Sequence, residues 1–148
     1  MATFDYTTAA NQTAWNNEVK VRSWTIDFED LINVNGMVTT GADQVRLLKI
    51  PAGATATLLA GTVRVDRIYA GTSATVDIGV TGDDTWTANV DTKVAAGTIV
   101  QLSTNAAPVL TAEGVSDVYL TAELTEGAAD TTDGGKVTIT LCYFMANN

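Results

Sequence analysis

The sequence predicts an all-β fold, a two-sheet sandwich of jelly-roll type with an irregular N-terminal arm. Three observations carry this. Short runs of alternating apolar and polar residues recur along the chain, and turn signals separate them. The composition is rich in Thr, Ala and Gly and poor in Lys, Glu and Leu, and the branched Cβ of Thr suits a pleated strand. No stretch of 11 residues or more shows helical amphipathicity. The expected organisation is a flexible arm over 1–18 and one sandwich domain over 19–148.

Residues 1–18 are small and polar, as in Thr7-Thr8-Ala9-Ala10-Asn11-Gln12-Thr13, and show neither period 2 nor period 3.6. Phe4, Tyr6 and Trp15 are the side chains that would pin this arm, and a frayed terminus is the alternative. Strand character begins at Val19, where Val19 and Val21 alternate with Lys20 and Arg22. Trp24, Ile26 and Phe28 then take the opposite parity, which predicts a bulge or bend at Ser23. Asp27–Leu31 suits either the strand's continuation or a short helical turn. Asn35-Gly36 is a hairpin signal.

Val45–Ile50 is a strand stopped by Pro51-Ala52-Gly53, since Pro has no ladder donor. A long β stretch follows from Ala54 to Ile68, with Val63 and Val65 inward, Arg64 and Asp66 outward, and a bend or break at Gly61. Thr75–Val80 turns Val76, Ile78 and Val80 inward before a turn at Gly82-Asp83-Asp84. Weaker strands are expected at Thr85–Val90, Thr98–Leu102 and Val109–Thr111. In Val118–Leu124 the even positions face in, and in Lys136–Phe144 the odd ones do. These two strands are expected to pair antiparallel, joined by an exposed loop over Thr125–Gly135.

The 148 residues, 46% of them hydrophobic, suffice for one buried core. No apolar run reaches the roughly 18 residues that span a bilayer. The N-terminus lacks the pattern of a secretion signal, so synthesis in a cytoplasm and no membrane partner are expected. The net charge of −9 offers no basic footprint for nucleic acid. Residues 1–74 carry six Lys/Arg against seven Asp/Glu, and residues 75–148 carry two against ten. An acidic half beside a near-neutral half predicts one face toward water and another toward a partner.

With no histidine, Ser-His-Asp and Cys-His catalysis and His-ligated zinc are excluded. Cys142 is a small residue on the outward side of a strand, and a single cysteine excludes an intramolecular disulfide. There is no Gly-rich phosphate loop with its Lys. Glycoside hydrolysis needs only two carboxylates, but nothing pairs any two of Asp66, Asp77, Asp83, Asp84, Asp91, Glu113, Glu123 and Asp130 across a cleft. Asp83-Asp84, or Asp130 with Asp133, falls short of the six to eight oxygens of a calcium site. The reading is therefore a non-enzyme without a cofactor. Of the three tryptophans, Trp86, between Thr85 and Thr87 after an acidic turn, is the one expected at a surface.

The segment Leu48-Lys49-Ile50-Pro51-Ala52-Gly53-Ala54, followed by Gly61-Thr62-Val63-Arg64-Val65 and Gly71–Asp83, resembles the capsid decoration (cement) proteins of tailed bacteriophages. In these an IPAG turn precedes a β stretch and a TVDIG strand ends in a Gly/Asp turn. The likeness covers residues 48–84. It implies a β-sandwich or jelly roll, often trimeric, on the outside of a capsid with the major capsid protein as partner. Candidate edge strands and the lack of a disulfide also point to a homo-oligomer, most readily a trimer. The contact residues expected are Phe4, Tyr6, Trp15 and Trp86. Phage fibres, head spikes and other receptor- or carbohydrate-binding virion components share this compositional style, and a lectin outside any virus is a further alternative.

Overall fold

The alternating runs fold into ten strands and one short helix in a computed structural model that describes residues 3–5, 19–36, 40–69, 71–80, 83–102, 109–111, 118–127 and 135–147. The elements are β1 (Thr3–Asp5), β2 (Val19–Asp27), α1 (Phe28–Asn35), β3 (Thr40–Ile50), β4 (Ala54–Arg67) and β5 (Ser73–Val80). They continue with β6 (Asp83–Asp91), β7 (Ile99–Gln101), β8 (Val109–Thr111), β9 (Val118–Gly127) and β10 (Lys136–Asn147).

Two sheets form. Sheet A has the order β1-β3-β9-β5-β6, and sheet B has β2-β10-β4-β7, with β8 also on β4. From β2 to β5 every successive strand changes sheet, and β9 and β10 do so again. This is the all-β sandwich expected, and its strand order is that of a jelly roll. The sheets bury their facing apolar rows: Ile26, Val63, Val137, Ile139 and Leu141 from sheet B, and Val45, Ile50, Val76, Ile78, Leu120 and Leu124 from sheet A, are all fully buried.

The inward parities expected for β9 and β10 hold at Leu120, Ala122, Leu124, Val137, Ile139, Leu141 and Tyr143. Their pairing does not. β9 lies between β3 and β5 in sheet A, and β10 lies between β2 and β4 in sheet B, so the two strands belong to different sheets. Periodicity fixes which face a residue takes; it carries no information on which strand lies beside it.

Four local expectations are also corrected. Asn35-Gly36 ends a helix instead of turning a hairpin: Gly36 adopts φ 67°, ψ 31°, and its N–H donates to the Ile32 carbonyl at 3.2 Å, a left-handed helix cap. β2 runs without a break at Ser23, in continuous register with β10 from Asp27↔Lys136 to Val19↔Phe144. β4 passes straight through Gly61. The irregularity lies two residues earlier, where Leu58 and Ala60 pair with Tyr143 and Cys142 and leave Leu59 as the extra residue. Gly61 is needed for a different reason: a Cβ there would come within 2.7 Å of Leu102 and 2.8 Å of Leu141. Finally, Asp83 and Asp84 belong to β6, not to the turn.

Candidate partner-binding surface

Of the four residues assigned to partner contact, Phe4 and the Trp86 backbone are among the described residues, and they lie in strands at opposite edges of sheet A. Phe4 sits in β1, which pairs parallel with β3, and its half-buried ring packs against the core. Trp86 belongs to β6, at the opposite edge of sheet A from β1. Four strand spacings separate those edges, roughly 19 Å. The Trp86 side chain, and Tyr6 and Trp15 altogether, lie outside the described residues. Trp24 is a core residue, 5% exposed, with the Arg22 guanidinium 5.2 Å from its ring centroid.

The outer face of sheet B is the more informative surface. Register places Val19, Phe144 and Thr57 in one row across β2, β10 and β4, and Val21, Cys142 and Ala60 in the next. Ser23, Thr140 and Thr62 follow, then Thr25, Thr138 and Arg64, and last Asp27, Lys136 and Arg67. The face therefore grades from apolar, through hydroxyl-bearing, to charged. Ser23 and Thr140 share a hydrogen bond at 2.7 Å, and Thr25 and Thr138 one at 3.1 Å.

The charged end is internally matched. Arg67 reaches Asp27 at 2.6 Å and Glu29 at 2.8 Å, and Arg64 meets Asp66 at 2.6 Å. Thr138 donates to the other Asp66 oxygen at 2.6 Å. Partial burial pushes the Asp66 carboxyl up, but the hydrogen bonds from Thr138 and Arg64 and the charges of Arg64 and Lys136 outweigh it and hold it below the usual carboxylate range. On the inner side, burial pushes the Tyr143 phenol up against the opposing pull of Arg22.

The apolar end is where sequence reasoning missed a feature. Val19 and Val21 are 59% and 66% exposed, and Leu59 is 51% exposed. Because Leu59 is the extra residue of a bulge, Leu59 and Ala60 are both exposed in succession, and bulges of this kind re-aim side chains. Beside them Ala60, Gly61, Thr62, Gln101, Thr140 and Cys142 line a shallow, open depression. The signal was present in the sequence as the parity shift between Val21 and Trp24. It marks valines left outside, not a bend that takes them in.

Charge divides by sheet rather than by half of the chain. The strands of sheet A carry Asp5, Asp43, Asp77, Asp83, Asp84, Asp91, Glu123 and Glu126 against Arg46 and Lys49, a formal −6. Those of sheet B carry Lys20, Arg22, Arg64, Arg67 and Lys136 against Asp27 and Asp66, a formal +3. Among the described residues no group of three or more His, Cys, Asp or Glu is placed to hold a metal ion, and no helix is long and apolar enough to cross a membrane.

A jelly roll with one acidic sheet and one basic-to-apolar sheet is the class of molecule that these observations define. Two solved structures share its fold. One is a chain of the cyanophage Pam1 capsid asymmetric unit, with a TM-score of 0.55 and 17% identity, covering 94% of this chain and 97% of that one. The other is a chain of the capsid of Ralstonia phage GP4, with a TM-score of 0.53 and 17% identity, covering 86% and 84%. No protein-family model and no curated protein matches the sequence.

Proposed function

We propose that this chain is a virion structural protein, a decoration or cement protein that binds the outer surface of an assembled phage head and stabilises it. The observation that carries the reading is the nearly end-to-end likeness to a chain of a phage capsid asymmetric unit, 94% of one and 97% of the other. The jelly roll supports it, as a fold common among capsid proteins. The charge division supports it too: a strongly acidic sheet turned outward keeps particles apart in solution. The major capsid protein is the proposed partner, and the chain acts as a homo-oligomer, a trimer in this reading. Neither nucleic acid, membrane nor cofactor has a part in it. Phe4, Tyr6, Trp15 and Trp86 are the proposed contact residues; Phe4, in β1, also packs part of its ring on the core.

The test is to add the purified chain to phage heads from which it has been stripped. Binding that saturates at a fixed ratio to the major capsid protein, and that raises the temperature at which heads open, is the expected result. Binding confined to tails or to host cells would replace this reading with that of a fibre or receptor-binding component.

A further inference from the structure

We infer that the apolar end of the outer face of sheet B is a contact surface for a second copy of this chain. Val19, Val21 and Leu59 are each more than half exposed, and Cys142 and Phe144 fill the space between them on β10. For the first three rows this face carries no charge, from Val19-Phe144-Thr57 to Ser23-Thr140-Thr62. Exposed aliphatic side chains on β2 and β4, on either side of Cys142 and Phe144 of β10, are unfavourable in water unless something covers them. The bulge that leaves Leu59 and Ala60 both outside adds to the patch.

The charge division selects the occupant. Each copy carries −9 overall, so contact between like surfaces of two copies is least opposed through the least acidic one. Contact through sheet A would oppose −6 with −6. Contact through this end of sheet B meets no charge on the outer rows and keeps the acidic sheets apart. The edge of β2 is a poorer candidate for joining copies by strand addition, because Lys20 and Arg22 take the inward parity there, and inward cations on an edge strand discourage edge-to-edge pairing. Copies therefore converge with the Val19, Val21 and Leu59 end of each turned toward a common axis, as in closed cyclic oligomers.

This goes beyond the decoration reading in naming the surface, and rests on it only in taking the chain to work in multiple copies. The two fail separately, since the test uses the isolated chain and no phage head. Cys142, the only cysteine, reports on the patch directly. Its rate of reaction with a maleimide is measured against protein concentration, alongside sedimentation equilibrium, for the wild type and for Val21→Asp. The wild type is expected to sediment as a multiple of 15.5 kDa, with Cys142 increasingly protected as concentration rises. Val21→Asp is expected to be monomeric, to react several-fold faster, and to unfold at a temperature that no longer depends on protein concentration. An oligomer that persists in Val21→Asp with Cys142 still reactive would overturn the inference. So would a wild-type monomer whose Cys142 reacts at the same rate at every concentration. The concentration series on the wild type decides the matter even if the variant does not fold.

Discussion

Gly135→Ala tests the packing that closes one end of the sandwich. The Gly135 carbonyl accepts the Phe28 N–H at 3.0 Å, tying the start of α1 to the start of β10. A Cβ on Gly135 would lie 2.5 and 2.6 Å from two ring carbons of Tyr69 and 2.8 Å from the Arg67 carbonyl oxygen. Ordinary carbon contacts fall at about 3.5–4.0 Å, so the ring must retreat by roughly 1 Å. It has little room: Tyr69 is buried and packs on Phe28 with ring centroids 5.9 Å apart. Overpacking costs about 1–3 kcal/mol, and a backbone carbonyl with a buried ring puts this site at the upper end. The narrower unfolded ensemble of alanine returns about 0.4–1 kcal/mol. A net loss of about 2 kcal/mol follows, or roughly 4–8 °C in unfolding midpoint for a chain of this size. The assay is thermal and urea unfolding of both single variants and the double variant with Tyr69→Ala. In the Tyr69→Ala background the Gly135→Ala penalty is expected to shrink by about 1 kcal/mol or more. An unchanged midpoint for Gly135→Ala, or strict additivity in the cycle, would refute the reasoning.

Ile139, fully buried between the sheets, is expected to cost about 2–5 kcal/mol on truncation to Ala; an unchanged denaturant midpoint would mean that β10 does not face the core as described. Gly36→Ala, forced into a left-handed conformation with no steric contact around it, should cost about 1 kcal/mol through backbone strain alone, and Gly36→Asn less. Asp66 titrates below its unfolded value of about 3.9, so its contribution is fully present above that pH and is lost as pH falls through the lower folded value. Asp66→Asn should thus lose about 0.2–1 kcal/mol at pH 7, with the difference from wild type fading below about pH 4. A difference that grows in acid would have the wrong sign.

The fold class and most of the core were legible in the sequence because burial in a sheet follows period 2. Leu120, Leu124, Ile139 and Leu141 could be assigned from alternation alone. Strand pairing was not legible, for a reason built into the jelly roll: consecutive strands such as β3 and β4 are joined by the tight Pro51–Gly53 turn yet sit in different sheets. A turn signal there marks a corner, not a hairpin. The Asn35-Gly36 signal misled because a left-handed residue serves a helix end as readily as a hairpin. For the surface, the sequence pointed to aromatic residues, whereas the exposed patch is made of Val19, Val21 and Leu59. The parity shift between Val21 and Trp24 was the sequence's sign of valines left outside, and the unbroken register of β2 against β10 fixes that reading. The charge pattern was likewise legible in kind but misplaced by half-chain counting, because strands from both halves interleave in each sheet.

The central claim, that the chain is a component of the outer surface of a phage head, is tested most directly by a cryo-electron reconstruction of the intact particle. The account predicts jelly-roll density of this size outside the shell, in many symmetry-related copies on the major capsid protein, with sheet A toward solvent. Density for the chain inside the shell, or only at the tail, would contradict it.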